Sequence, residues 1–133
     1  MTRSNSSDSG TITTANETVG GQYANKVTEL VDNLGKALVA FTLDADVSTV
    51  SRWARGVNLP KNLDVERRIE NFHRVYRFLM TEEGKSPERS AHEIRAWLMG
   101  VNPHLDDVSP AEAIRDGAYR AVMAASRAYA AGG

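Results

Sequence analysis

The feature that most constrains this chain is the spacing of its apolar residues, which recur three and four positions apart and are repeatedly cut off by glycine or proline. Such spacing lines side chains along one stripe of a helix, and no strand pattern competes with it. Tyr23, Val27, Leu30, Val31 and Leu34 predict a first core helix, loosened at its end by Gly35. Ala37 to Leu43 is an apolar run of about two turns, suited to a helix buried on most sides. Asp46 is placed to cap a third helix from Val47 to Arg55, which Gly56 closes in the left-handed conformation and Pro60 stops. Leu63, Val65, Ile69, Phe72, Val75, Tyr76 and Leu79 then stripe a long, otherwise charged helix from Asn62 to about Glu82, ended by Gly84. Ser86-Pro87 is a helix start, and the helix it opens carries Ile94, Trp97 and Leu98 on its inner face until Gly100 and Asn102-Pro103 break it. Ser109-Pro110-Ala111-Glu112 reads as a capping box for a short helix to about Asp116. Gly117 permits a bend into a last helix, Ala118 to about Ala130, with Val122, Met123, Ala125 and Tyr129 as its apolar side chains beyond alanine. The fold class expected is all-α.

At 133 residues the chain has room for one compact domain or two very small ones sharing a core. The reading divides it into a tail (1–20), a helix-turn-helix region (21–60), a linking helix (61–85) and a C-terminal partner-binding module (86–133). Ile12 and Val19 are the sizeable apolar residues of the tail, too few to offset the entropy of ordering it, so disorder is expected there. The chain holds no cysteine, which excludes disulfides and thiolate metal sites. No run approaches the roughly 20 apolar residues of a membrane helix, and the N-terminal segment is polar where a secretory signal is apolar. A cytoplasmic protein is expected, with no membrane partner.

The segment from Leu43 to Gly56 combines a tight turn with a helix of two unlike faces. Val47, Val50 and Trp53 recur at spacing three and are expected to pack against Leu38 and Phe41, which leaves Ser48, Thr49, Ser51, Arg52 and Arg55 facing outward. Hydroxyls near a helix start reach base edges or phosphates, arginine bonds guanine or grips the backbone, and the helix N-terminus adds a favourable dipole. Net charge is −1, so a grip on a polyanion needs a local patch. From Ser51 to Arg77 seven basic residues (Arg52, Arg55, Lys61, Arg67, Arg68, Arg74, Arg77) face three acidic ones (Asp64, Glu66, Glu70), a local balance of +4. The candidate DNA-binding residues are Ser48, Thr49, Ser51, Arg52, Arg55 and Lys61. A helical hairpin with a solvated basic face, or a helix-turn-helix that kept its packing but lost DNA, stays open on the residues alone.

Ser48, Thr49, Val50, Ser51, Arg52, Trp53 and Gly56 resemble the recognition helix of Xre/Cro-type regulators. Asp44 stands where that family's turn usually has glycine, and so has to accept a left-handed conformation. Further on, Trp97-Leu98, Asn102-Pro103, Leu105, Ser109-Pro110 and Gly117 form a rigid scaffold of burial, turn, plug, helix start and kink. With the small-residue helix that closes the chain, this run is similar to the toxin-binding domain of the MbcA/ParS/Xre antitoxins over roughly residues 88–133. The resemblance implies a type II antitoxin that neutralises a RES-domain, NAD-consuming toxin and represses its own operon as a homodimer. It implies that Arg115, Asp116, Gly117 and Tyr119 lie near the toxin, with Ala130, Ala131, Gly132 and Gly133 at its pocket mouth. A stand-alone repressor, of the kind phages carry, that uses the C-terminal module to dimerise is the alternative.

No catalytic apparatus is expected. His73, His92 and His104 lack metal-site spacing, and no nucleophile motif or glycine-rich phosphate loop accompanies them. The reading is therefore of a non-enzyme with no cofactor and no metal.

Overall fold

Helix α1 (Val19–Leu34) turns Val27, Leu30 and Leu34 fully inward, the stripe that its three- and four-residue spacing demands. The structure is a computed structural model that describes residues 19–83 and 87–132. The expectations placed on residues 1–18, Gly84, Ser86 and Gly133 lie outside the described residues. After α1 come α2 (Lys36–Leu43), α3 (Val47–Ala54), the long α4 (Leu63–Glu83), α5 (Pro87–Met99), a single 3-10 turn at Pro103–Leu105, α6 (Pro110–Arg115) and α7 (Tyr119–Ala130). The protein is all-α, and the sole β pairing among the described residues is one isolated bridge between Asn102 and Val108.

Helix α4 passes through the middle. It packs against α1, α2, α5, α6 and α7. Ile69, Phe72, Val75, Tyr76 and Leu79 are buried on it, and one core runs from Val27 in α1 to Ala125 in α7. Leu63, assigned to the stripe, is 57% exposed, because it is the first residue of α4 and lies beyond the partners that cover the later turns. Asn62 caps α4, its side-chain oxygen accepting from the backbone N–H of Asp64 at 2.8 Å.

Beside the apolar seam, α1 and α4 share a row of polar ties. Glu29 accepts from Arg77 Nη1 at 2.8 Å and lies 2.6 Å from His73 Nε2, while Lys26 Nζ donates to Glu70 at 2.7 Å. Arg74 also lies near Glu70, at 3.8 Å. This corrects the sequence-level picture of the basic patch. Arg74 and Arg77 are paired internally, and Arg68 donates to two backbone carbonyls, so the uncommitted positive charge is concentrated in Arg52, Arg55, Lys61 and Arg67, to which no ion pair is seen among the described residues.

Burial alone would raise the Glu29 carboxyl, but hydrogen bonds and charge from His73 and Arg77 hold it below its ordinary value of 4.5. A carboxyl that binds protons less readily when folded contributes stability above its unfolded pKa, and loses it as pH falls through its folded pKa. Glu29→Gln is expected to cost about 1 kcal/mol at neutral pH, discounted for partial exposure. It should also flatten the fall of the melting temperature below pH 4.5, as read by thermal melts across the acid range.

Candidate functional site

The turn between α2 and α3 sets the direction of α3. Asp44 holds φ 56°, ψ 48°, the left-handed conformation the sequence requires of a non-glycine there, and its N–H closes the end of α2 on Ala40 and Phe41. Asp46 then caps α3, its carboxylate accepting from the Thr49 N–H at 2.7 Å and from the Ser48 hydroxyl at 2.9 Å. Those donors, the Thr49 amide first, hold the Asp46 carboxyl below its ordinary range.

Trp53 lies inward, 8% exposed, with its indole N–H donating to the Asn58 carbonyl at 3.0 Å. Val50 is fully buried beside it. Val47 and Phe41 are not: they are 44% and 43% exposed, whereas the sequence places them in the packed seam between α2 and α3. Three residues of helix advance about 300°, so two such steps carry Val47 about 120° around α3 from Trp53 and off the buried face. Val50 and Trp53 suffice as the anchor, helped by the Thr28 hydroxyl, which donates to the carbonyl of Ala54 at 2.9 Å.

The six candidate DNA-binding residues do not behave alike. Arg55 and Lys61 are exposed, and Ser51 is half-buried. Arg52 folds back to donate to the Thr49 hydroxyl at 3.0 Å, and Ser48 is engaged by Asp46. The dipole at the start of α3 already faces the Asp46 carboxylate, so the favourable phosphate site expected at that terminus is occupied by a charge of the same sign as phosphate.

The C-terminal scaffold follows its local chemistry closely. Leu98 and Leu105 are buried, and the Asn102 side chain accepts from the His104 N–H at 2.9 Å. Ser109 caps α6 by accepting from the Glu112 N–H at 3.1 Å, and Gly117 takes φ 86° to turn the chain into α7. Trp97 stacks on Tyr129 of α7 at 5.4 Å, 24° from parallel, which pins the last helix to α5.

Of the candidate toxin-contact residues, Asp116, Gly117, Ala131 and Gly132 are exposed, Tyr119 and Ala130 are half-buried, and Gly133 lies outside the described residues. Arg115 is the exception to a simple surface role. Its Nη2 donates to Asp44 at 3.0 Å, and its guanidinium sits 5.0 Å from the Phe41 ring centre. Arg68 reaches the same place, donating from Nε to the Arg115 carbonyl at 3.1 Å and from Nη1 to the Leu43 carbonyl at 3.3 Å. Sequence reading missed this cluster because Asp44 and Arg115 stand 71 positions apart, and no helical periodicity links them. Beside it lies a polar cleft of about 370 Å³ that Arg67 and Asp116 also line.

Among the described residues no group of three histidine, cysteine or acidic side chains could hold a metal ion, and His73 is spent on Glu29. None of their helices is long and apolar enough to cross a membrane.

Fold and surface thus define a small all-α protein in which α1, α2 and α3 pack together, α4 joins them to the rest, and a capped, glycine-kinked C-terminal scaffold completes the core. No family model matches the chain. The mycobacterial cidal antitoxin MbcA of Mycobacterium bovis (strain ATCC BAA-935 / AF2122/97) is 27% identical over 111 residues, 82% of this chain and 92% of that protein. The MbcA of Mycobacterium tuberculosis (strain ATCC 25618 / H37Rv) matches to the same extent, 27% over 111 residues. A chain of the crystal structure of the M. tuberculosis MbcT-MbcA toxin-antitoxin complex superposes with a TM-score of 0.62 at 29% identity, covering 82% of this chain and 94% of that one. In sequence and in fold alike, this chain is similar to the MbcA antitoxins.

Gly117 gives the scaffold a direct test. A Cβ there meets nothing within 4 Å, so the cost of Gly117→Ala is the left-handed backbone alone, about 1–2 kcal/mol. Urea unfolding should show that loss with an unchanged slope.

Proposed function

We propose that this chain is the antitoxin of a toxin–antitoxin pair and is itself no enzyme. The observation that carries the reading is the match to MbcA over 82% of the chain, together with a fold shared with a chain of a toxin-antitoxin complex. The C-terminal scaffold supports it: α6, Gly117 and α7 present Asp116, Gly117, Tyr119, Ala130, Ala131 and Gly132 from a packed base, so little ordering entropy opposes partner binding. The partner is a RES-domain, NAD-consuming toxin, the class that the C-terminal motif implies, and the slim tail meets its pocket.

The head carries the second half of the proposal, repression of the operon by a homodimer on double-stranded DNA. Burial of Val50 and Trp53 supports it, because it leaves Ser51, Arg52 and Arg55 off the core, with Lys61 exposed beyond Gly56. The Asp46 carboxylate at the start of α3 argues that base edges and flanking phosphates meet the C-terminal half of the helix, where Arg52 and Arg55 stand. The protein acts in the cytoplasm, where operon and toxin are both found.

Two measurements test the two halves. Co-expression with the product of the neighbouring reading frame should restore growth that this product alone arrests, and a neighbour that arrests nothing would remove the antitoxin role in favour of a stand-alone repressor. Replacing Arg52 and Arg55 together by alanine should weaken binding to DNA from upstream of the coding sequence by about 1–3 kcal/mol per specific contact, with unchanged gel shifts counting against DNA reading by α3.

A further inference from the structure

The cluster of Asp44, Arg68 and Arg115 joins the two surfaces to which function has been assigned. Leu43 and Asp44 end α2 and open the turn into α3, while Arg115 and Asp116 end α6 at the partner-binding scaffold. Arg68, rooted in α4, donates to the last carbonyls of both α2 and α6, and so holds the two helix ends side by side. Across that junction Arg115 donates to Asp44 at 3.0 Å and packs over Phe41 at 5.0 Å. The acid it engages is the non-glycine residue that must keep φ 56° for α3 to point as it does.

The pair is reachable from outside. Its side chains are 39% and 57% exposed, and two open depressions meet at Arg115, one beside Asp46 and Ala45, the other beside Arg67 and Asp116. A partner carboxylate can therefore compete with Asp44 for the guanidinium.

We propose that Arg115 is a positioning residue that couples the C-terminal end of α6 to the helix-turn-helix turn. A partner acid that takes its guanidinium frees Asp44 and loosens the turn before α3, while Arg68 keeps the helix ends together. By linkage, DNA that fixes α3 holds Arg115 on Asp44 and disfavours the partner by the same factor. The coupling rests on the assignment of DNA reading to α3 and of partner contact to the end of α6.

The full chain tests this through amide exchange at Ala45, whose N–H closes the turn on the Ala40 carbonyl at 3.0 Å, and through binding to a duplex from immediately upstream of the coding sequence. Arg115→Ala and Asp44→Asn should each speed exchange at Ala45 roughly three- to ten-fold, as the loss of an exposed pair and a ring contact implies, and leave Leu30 in α1 unchanged. The double variant should go no further than either alone, and Arg115→Lys should recover part of the effect. The same variants should weaken duplex binding in the same rank order, by less than the change in exchange, because affinity follows the closed fraction, while Arg120→Ala on α7 does not. Unchanged exchange at Ala45, effects that multiply in the double variant, or faster exchange with undiminished DNA affinity would each overturn the coupling. Failure of the unaltered chain to bind any duplex would instead strike the DNA-reading assignment, and the exchange comparison would still decide whether Arg115 holds the turn.

Discussion

A chain that must reverse between two short helices without glycine needs outside help, and the turn at Asp44 receives it from two arginines that arrive late in the sequence. A left-handed residue with a side chain is disfavoured by about 1–2 kcal/mol, and Asp is among the few residues that adopt the conformation as single positions. Here the same side chain is engaged by Arg115, while Arg68 satisfies the carbonyl just before it. The direction of α3, and with it the surface that α3 presents, therefore depends on contacts from α4 and α6.

That dependence explains how the positive charge is distributed. Arg68 and Arg115 are spent on helix ends and on Asp44, and Arg74 and Arg77 pair with carboxylates at the surface, whereas Arg55, Lys61 and Arg67 are exposed with no ion pair seen among the described residues. A chain with net charge −1 can in this way keep exposed, unpaired basic side chains without a basic composition.

Helices, caps and kinks were legible before any coordinates because each is a local decision. Asp46 and Ser109 accept the amide three residues on, Gly56 and Gly117 take positive φ, and Trp53 and Leu105 turn inward, all as their neighbours dictate. Val47, Phe41 and Leu63 were misjudged for a common reason. Spacing assigns a residue to a stripe, but only the position of the neighbouring helix decides how wide the covered part of that stripe is.

Determined by sequence alone were the all-helical class, the order of the helices, the caps that start them and the inward placement of Trp53. These rest on interactions within a few residues, where periodicity and backbone preference leave few alternatives. Only the tertiary structure decided which arginines remain free, that the dipole of α3 is already matched by Asp46, and that Arg115 reaches across 71 positions to the turn it steadies. Charged side chains are long and pair with whatever the packing brings near, so their partners follow from how α2, α4 and α6 meet and cannot be read along the chain.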